Sequence, residues 1–153
     1  MRLYIASSWR NPHHDSVVET LKSKGYDVYN YRESNASFHW KQIDPHWEQW
    51  SLEKQRAALT HPVARNAFDK DSQAMEWADA CVLLLPSGAS SHLEAGWFLG
   101  KNRPVFIFVT ESVLPHEPEL TYKRASAICL NEQELLINLG IRELLLDRRN
   151  KEN

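Results

Sequence analysis

The sequence has 153 residues, enough for one domain with a substantial core, and its 18 basic and 20 acidic side chains give a net charge of −2. This balance offers no electrostatic basis for binding a nucleic acid polymer or an anionic membrane, and the apolar runs are too short to span a bilayer. Met1 leads directly into a predicted strand, which does not resemble a signal peptide. We therefore expect a cytoplasmic protein, folded as a single domain over residues 1–153 with a polar tail from about residue 147.

The beginning of the chain has the pattern strand, helix, strand. Residues 2–6 are apolar and predict the first strand. A polar loop follows, and apolar residues at helical spacing then predict a helix that ends at Gly25. Residues 26–31 alternate and are rich in tyrosine, which predicts a second strand. Such a βαβ unit favours a parallel sheet over an antiparallel one.

The middle of the chain combines a long loop with many aromatic residues. Residues 32–45 lack a clear period and predict a loop, and residues 46–60 and 62–78 predict two helices. The aromatic residues of this region are Phe38, His39, Trp40, Trp47 and Trp50. Aromatic residues in long loops often mark a binding site or an interface. The alternative is that they cover a sheet edge or pack on the following helix.

A second βαβ unit occupies the centre of the sequence. Residues 81–85 form an apolar run of strand length, residues 86–91 a loop of small side chains, and residues 104–109 another apolar strand after a short helix. A proline-rich loop follows at residues 111–119. Ligands of parallel α/β sheets bind beyond the carboxyl ends of the strands, so we expect the chemistry at the 86–91 loop.

The end of the chain predicts a fifth strand and a final helix. Residues 127–130 predict the strand, and Asn131 with Glu134 predicts a capped helix start. Cys81 and Cys129 fall in predicted buried strands and are expected to be free thiols. The leucines expected to dock the final helix on the sheet are Leu135, Leu136, Leu139, Leu144 and Leu145. These elements predict an α/β fold with a parallel five-stranded sheet and helices on both faces.

The loop after the third predicted strand has the composition of an anion site. Ser87, Gly88, Ala89, Ser90 and Ser91 place small side chains, hydroxyls and backbone N–H groups before a predicted helix. The positive end of the helix dipole favours a phosphate or another anion there. An ordinary strand-to-helix connection is the alternative.

Glu94 has two interpretations. Ser91 and Glu94 have the spacing of a capping box, in which the glutamate does no more than close the start of the helix. Alternatively, a carboxylate in the first helical turn stays ionised and faces a ligand, where it could attack a sugar carbon. The spacing does not decide between them.

Further candidate groups lie on either side of this loop. Asp71 and Asp79 are eight residues apart, close to two helical turns, and Asp79 directly precedes a strand, where it could be a cap. Tyr4 lies on the first strand and could offer a hydroxyl as an orienting donor. The seven histidines show no ligand spacing, so we expect neither a metal site nor a cofactor.

Taken together, these residues resemble the nucleoside 2-deoxyribosyltransferase family and its nucleotide N-glycosidase relatives. The matching motifs cover about two thirds of the chain in the family's order. They are the opening strand with its tyrosine and the tryptophan after it (Tyr4 to Trp9), the pair Asp71 and Asp79, the turn Glu94-Ala95-Gly96, and the strand start Arg103-Pro104-Val105.

The resemblance implies a flavodoxin-like fold and cleavage of the N-glycosidic bond of a nucleoside or nucleotide. Glu94 would be the nucleophile that forms a covalent glycosyl-enzyme, Tyr4 would orient it, and Asp71 would help to protonate the departing base. The sugar would then pass to another base or to water. The residues expected to bind substrate are Ser7, Trp9, Ser87, Gly88, Ser90 and Ser91.

One position departs from the family pattern. Members that act on unphosphorylated nucleosides commonly carry an acid six residues before the nucleophile, where this chain has Gly88. Together with the neighbouring serine hydroxyls, this favours a 5′-phosphate in the substrate. A non-catalytic nucleotide-binding module and a glycohydrolase of NAD or ADP-ribose derivatives are the alternatives. Family members are homo-oligomers, so we expect a homodimer or larger assembly, with aromatics of residues 38–50 or the C-terminal leucines at the contact.

Overall fold

The computed structural model describes residues 1–33, 38–110 and 119–152. Five strands in these residues form one sheet: β1 (Arg2–Ala6), β2 (Asp27–Tyr29), β3 (Ala80–Leu84), β4 (Val105–Phe108) and β5 (Ala127–Cys129). Their order is β2-β1-β3-β4-β5, and each neighbouring pair is parallel. This is the flavodoxin-like order. The predicted α/β fold with a five-stranded parallel sheet is therefore confirmed.

The helices follow the predicted order with some changes in length. They are α1 (His14–Ser23), α2 (Leu52–Ala58), α3 (Pro62–Trp77), α4 (Ala89–Gly100) and α5 (Glu132–Glu152), with short 3₁₀ turns at Trp40–Gln42, Trp47–Gln49 and Leu120–Arg124. The helix predicted over residues 46–60 is shorter than expected. Trp50 has an extended backbone with ψ 137°, and the Ser51 side chain accepts a bond from the Lys54 N–H, so α2 begins at Leu52.

One face of the sheet packs against α1 and α5. Alternate residues of each strand point to the same face. The side chains of this buried cluster come from β1, β3, β4 and β5 (Leu3, Ile5, Ala80, Val82, Leu84, Phe106, Phe108, Cys129) and from the two helices (Val17, Val18, Leu21, Leu135, Leu139). Burial of this much apolar surface is the main force that holds the sheet to these helices.

The opposite face packs against α4, which contacts β3, β1 and β4. Tyr4 is 1% exposed, and its ring stacks on Tyr29 of β2 with 5.6 Å between ring centroids. It also contacts Phe98 of α4 at 5.8 Å. Helices therefore cover both faces of the sheet, as predicted.

The final helix is capped as the sequence predicts. The Glu134 N–H donates to the Asn131 side-chain oxygen at 2.9 Å, and the Glu134 carboxylate accepts from the Leu130 N–H at 2.9 Å. The expectation that all its leucines dock on the sheet is wrong for the later ones, because Leu144 and Leu145 are exposed. The helix runs on to Glu152, so most of the predicted polar tail is helical.

The chain contacts divide into two compact units, Met1–Tyr29 with Ala78–Asn153 and Asn30–Trp77. In the second unit the aromatic residues pack on one another. The ring centroids of Trp40 and Trp50 are 5.7 Å apart, and Trp50 is 9% exposed. The Trp50 indole and the Lys54 ammonium both donate to the Asp44 carboxylate, at 2.7 and 2.6 Å. Hydrogen bonds from Lys54, Trp50 and the His46 N–H, in this order, hold the pKa of Asp44 well below its usual range.

Two further predictions concern buried thiols and membranes. Cys81 and Cys129 are buried free cysteines, which confirms the prediction for both. None of the helices in the described residues combines the length and the apolar character that crossing a bilayer needs. Most of the proline-rich loop predicted at residues 111–119 lies outside the described residues.

Candidate active site

The loops that follow β1 and β3 are joined at the carboxyl edge of the sheet by Asn11. This side chain is 1% exposed. Its amide donates to the Pro86 carbonyl at 3.0 Å and, with a longer bond, to the Leu84 carbonyl at 3.4 Å. Its oxygen accepts from the His13 N–H at 2.8 Å. The buried side chain of Asn11 thus links the loop after β1 to the loop after β3 and holds the two loops together.

The helix after this edge begins earlier than the sequence predicts. Gly88 is the N-cap residue of α4, and no side chain caps the helix. Ser91 and Glu94 both lie inside the helix, so the predicted capping box between them is wrong. The N–H groups of the first turn, from Ala89 to Ser91, have no acceptor within the helix and carry its positive dipole end. This end can accept an anion.

Glu94 lies in the second turn of α4 and is half-buried. The expectation that it occupies the first turn is therefore wrong as well, and the dipole acts on it less than predicted, because the effect falls off beyond the first turn. The negative charge of Glu94 acts on a residue of β3 instead. Burial, and after it the negative charge of Glu94, raise the pKa of the Cys81 thiol on β3. Glu94 thus lies on the helix that packs on β3, β1 and β4.

Tyr4 lies in the same part of the sheet. It is the register partner of Cys81 across the β1–β3 pair, so both side chains point to the α4 face. Tyr4 also contacts Phe98, which follows Glu94 by four residues and therefore shares its helix face. The structure thus brings Tyr4 and Glu94 to one region, between the sheet centre and α4.

The predicted substrate-binding residues surround the same edge. Ser7 follows β1 directly and is half-buried, while Trp9 is 50% exposed. The residues of the second loop differ in exposure. Gly88 and Ser90 are exposed, and Ser91 is buried. The Ser87 hydroxyl is buried and has no hydrogen-bond partner among the described residues. This leaves Ser87 and Ser90 as the hydroxyls with capacity for a ligand.

His92 and Tyr122 form a polar pair that holds this loop and that the sequence did not predict. The His92 Nδ1 lies 2.8 Å from the Gly88 carbonyl, and its Nε2 lies 2.8 Å from the Tyr122 hydroxyl. A carbonyl oxygen can only accept, so the neutral ring carries its proton on Nδ1, and Nε2 accepts from the tyrosine. The two rings also stack at 5.9 Å. The two residues are 30 positions apart in the sequence, and nothing in the sequence gives a signal for this contact.

The two aspartates of the family pattern have different surroundings. Asp71 is half-buried on α3, within the second unit. Asp79 lies beyond the end of α3, so the two do not share a helix face. Asp79 pairs with the Arg2 guanidinium at 2.6 Å and accepts from the Arg2 N–H at 2.8 Å. The Arg2 side chain in particular holds the pKa of Asp79 below its usual range. Asp79 thus ties the amino ends of β1 and β3.

The part of the chain that the structure describes contains no set of side chains that could bind a metal ion. No three His, Cys, Asp or Glu side chains come together there as a metal site would require. What the carboxyl edge offers is one half-buried carboxylate, hydroxyls and backbone N–H groups. This set can hold an anion and present a nucleophile beside it.

Comparison with known proteins gives similarity at the level of structure. No family model matches the sequence, and no curated protein matches it. A 2-deoxyribosyltransferase from Bacillus psychrosaccharolyticus has a TM-score of 0.61 at 17% identity, over 88% of this chain and 90% of that chain. A conserved protein from Enterococcus faecalis V583 has a TM-score of 0.63 at 18% identity, over 93% of this chain and 98% of that chain.

A third similar structure is the CMP N-glycosidase BcmB of Clostridium botulinum. Its TM-score is 0.50 at 16% identity, over 93% of this chain and 99% of that chain. The named enzymes are a deoxyribosyltransferase and a nucleotide N-glycosidase, the two groups that the sequence resembles. At these identities the similarity establishes a common fold. The resemblance is confirmed to that extent.

Proposed function

We propose that this protein cleaves the N-glycosidic bond of a nucleoside or a nucleoside 5′-monophosphate, with Glu94 as the nucleophile. The observation that carries the proposal is the position of Glu94, half-buried on α4, the helix that packs on β3, β1 and β4 and contacts Tyr4 through Phe98. A shielded carboxylate beside an anion-binding helix start suits attack on a sugar that is held by its phosphate. The fold is also that of proteins named for this chemistry.

The reaction takes two steps. A Glu94 oxygen attacks C1′ of the sugar, and the C1′–N bond breaks with its electron pair going to the base. Asp71, in its protonated form, gives the base its proton. In the second step the oxygen of water attacks C1′ and releases Glu94, while Asp71 takes the proton of the water. Attack by the nitrogen of another base in place of water gives transfer. The Tyr4 hydroxyl orients Glu94 by a hydrogen bond.

The surroundings of the loop favour a 5′-phosphate in the substrate. Gly88 puts no side chain at the helix start, and a phosphate can approach the N–H groups from Ala89 onward. Ser90 is exposed, and the Ser87 hydroxyl has spare hydrogen-bonding capacity. The similar structure named a CMP N-glycosidase is, by its name, an enzyme that acts on a nucleotide of this kind. We therefore infer that Ser7, Trp9, Ser87, Gly88 and Ser90 contact the substrate.

The test is a substrate panel combined with the Glu94→Gln variant. Nucleosides, their 5′-monophosphates and NAD are incubated with the full chain, and the free base is measured by chromatography. We expect base release from a monophosphate, and a glycosyl adduct on the quenched wild-type protein by intact-mass measurement. Glu94→Gln removes the attacking charge, so turnover should fall by roughly 10³-fold or more and the adduct should disappear.

The matched control for this substitution is Glu19→Gln, which makes the same chemical change on the exposed surface of α1. Both variants should unfold within about 1 kcal/mol of the wild type, since neither glutamate caps its helix. A Glu94→Gln variant that keeps more than about a tenth of the turnover contradicts the nucleophile role. Release of nicotinamide from NAD alone would instead identify a NAD glycohydrolase. Nucleotide retained intact would identify a binding module.

We further infer that the protein is a homo-oligomer with α5 at the contact. Its exposed apolar residues follow helical spacing and form one stripe, Ile137, Ile141, Leu144 and Leu145. A stripe of this kind is usually covered by a partner. Sedimentation equilibrium should give a dimer or larger species at micromolar concentration, and Ile141→Glu should shift it to monomer. A wild-type monomer under these conditions contradicts the inference.

A further inference from the structure

The outer face of α5 carries an acid at one end, apolar residues in the middle and a base at the other end. This face points away from the sheet, because Leu135 and Leu139 on the other side of the helix are buried in the core. Its apolar residues are between 47% and 65% exposed, and they are Ile137, Ile141, Leu144 and Leu145. Glu134 lies three residues before the first of them, and Arg148 lies three residues after the last. Residues at this spacing lie on the same face of a helix.

Ile141 lies at the midpoint of this face. It is seven residues from Glu134 and seven from Arg148, which is about 10 Å in each direction along the helix. Two copies of α5 that run in opposite directions and cross at Ile141 would therefore place Glu134 of each copy beside Arg148 of the other. The same pairing would set Ile137 of one copy opposite Leu145 of the other. Such a contact is symmetric, and it occurs twice around a two-fold axis.

Both charged groups can take an ion-pair partner from a second copy. Arg148 is exposed and forms no ion pair within the described residues. The helix dipole favours a base in the last turn of a helix, but Arg148 lies before the last turn, since α5 ends at Glu152. The Glu134 carboxylate accepts from the Leu130 N–H at 2.9 Å and from the Asn131 amide at 3.3 Å. These donors are neutral, and a carboxylate has lone pairs for further donors.

A glycine beside the midpoint leaves room for a second helix. Gly140 lies in the interior of α5, where glycine is destabilising relative to alanine. A Cβ at this position would meet nothing within 4 Å, so the packing within one chain does not require a glycine there. A helix that crosses at Ile141 would come close to this part of the backbone, and glycine permits that approach.

We propose that two copies of this protein pair through α5 in antiparallel orientation, with a two-fold axis at Ile141 and two ion pairs between Glu134 and Arg148 of different copies. The face is complementary to a second copy of itself that is turned around, since acid then meets base and apolar residues meet apolar residues. Parallel pairing would put like charges together. The proposal deepens the homo-oligomer inferred above and rests on it, and it does not depend on the reaction assigned to Glu94.

Cysteine cross-linking tests the position of the axis. Cys81 and Cys129 are buried, so an introduced cysteine is the one exposed thiol of the chain. In Ile141→Cys the two new thiols should face each other, and mild oxidation should link the dimer, seen as a doubled mass in non-reducing electrophoresis. The matched control is Ile137→Cys, because the two isoleucines are 53% and 52% exposed. Its two thiols would lie about 12 Å apart along the helices, beyond the reach of a disulfide, and should link roughly tenfold more slowly.

A double-mutant cycle tests the ion pairs, with the dimer Kd measured by sedimentation equilibrium. Arg148→Gln and Glu134→Gln each remove one charge, and the glutamine at 134 keeps an acceptor for the helix start. Each variant should raise Kd about three- to tenfold, because every dimer loses two exposed pairs. The double variant should raise Kd no further than either single one. Arg124→Gln removes an exposed arginine outside α5 and should change Kd less than about twofold. Circular dichroism checks that each variant is folded.

The possible outcomes separate this arrangement from the homo-oligomer itself. A dimer in which Ile137→Cys links as readily as Ile141→Cys overturns the arrangement and leaves the homo-oligomer standing. So does a cycle in which the two charge effects multiply. A wild-type monomer, as expected if α5 contacts a different protein instead, overturns both. The substrate panel tests the reaction of Glu94 separately, so its failure cannot be mistaken for the failure of this contact.

Discussion

The two edges of the sheet are held by different kinds of interaction. At the carboxyl edge, the buried side chain of Asn11 joins two loops through neutral hydrogen bonds, and His92 and Tyr122 hold the Gly88 carbonyl through neutral hydrogen bonds that are more exposed. At the amino edge, the strand ends are tied by ion pairs, Arg2 with Asp79 and the Met1 amino group with Glu143. The neutral side chains lie where we place the substrate. The charged ones lie at the other end.

This difference has a physical reason. When neutral side chains hold a loop, no charged group competes with a ligand for the N–H groups and hydroxyls of that loop. These groups therefore remain available to a ligand. Ion pairs beside the loop would compete for an anionic substrate. The Arg2–Asp79 pair leaves 45% and 30% of its side chains exposed, and water and salt weaken such pairs. Substitutions at the carboxyl edge should therefore cost more stability, and the cost should not depend on salt.

The largest effect on stability is expected for Asn11→Ala. The substitution removes three hydrogen bonds and leaves the His13 N–H and the Pro86 carbonyl without their partner. Since the side chain is 1% exposed, water cannot easily replace these bonds. We expect the free energy of unfolding to fall by about 2–3 kcal/mol, measured by urea denaturation. The loss should be the same at low and at high salt.

Asn11→Asp is the sharper control for this interpretation. It keeps the acceptor for the His13 N–H but turns an oxygen, and at neutral pH a negative charge, toward the Leu84 and Pro86 carbonyls. We expect it to destabilise at least as much as Asn11→Ala. A stable Asn11→Asp variant would mean that the two carbonyls do not depend on the amide.

A smaller effect is expected for Tyr122→Phe, and it should fall on substrate binding. The variant removes the donor to His92 Nε2 and loosens the ring that holds the Gly88 carbonyl. Losing one half-exposed hydrogen bond of about 1 kcal/mol should raise KM for the monophosphate roughly three- to tenfold and leave kcat nearly unchanged. Steady-state kinetics on the substrate from the panel measures both.

Tyr26→Phe is the matched control, because it removes the same hydroxyl from a half-buried tyrosine on the segment before β2. Its KM should equal that of the wild type. A fall in kcat without a change in KM for Tyr122→Phe would contradict a role in holding the phosphate loop. It would indicate instead that the pair acts on the reacting groups.

The sheet could be predicted from the sequence because its signals are local. Residues 81–85 and 104–109 are continuous apolar runs, as strands buried on both faces require, and the chain between them is too short for anything but one helix. The cap of α5 was equally readable, since Asn131 and Glu134 lie three residues apart. Such patterns need no knowledge of distant contacts.

The details of the candidate site depend on contacts between distant residues. Asn11 acts on carbonyls more than 70 residues away, and Tyr122 reaches His92 across 30 residues. No local sequence pattern predicts either hydrogen bond. The start of α4 differs from the predicted one for another reason. Ser91 and Glu94 have the spacing of a capping box, but the N-cap residue is Gly88, which has no side chain. The backbone of the preceding loop, and not the local sequence pattern, therefore determines where the helix begins.

The smallest effect is expected at the amino edge, for Asp79→Asn. The Arg2 side chain lowers the pKa of Asp79 in the folded protein, so ionised Asp79 stabilises the fold above its unfolded pKa of about 4 and loses this contribution as the pH falls through the folded value. Asparagine keeps an acceptor for the Arg2 N–H but not the charge. At pH 7 we expect a loss of about 0.5–1 kcal/mol, since the pair is partly exposed. The difference from wild type in urea denaturation should shrink below about pH 4 and at high salt. Asp69→Asn, on the exposed surface of α3, should show no such dependence. A difference that stays constant at low pH would show that the charge of Asp79 does not stabilise this edge.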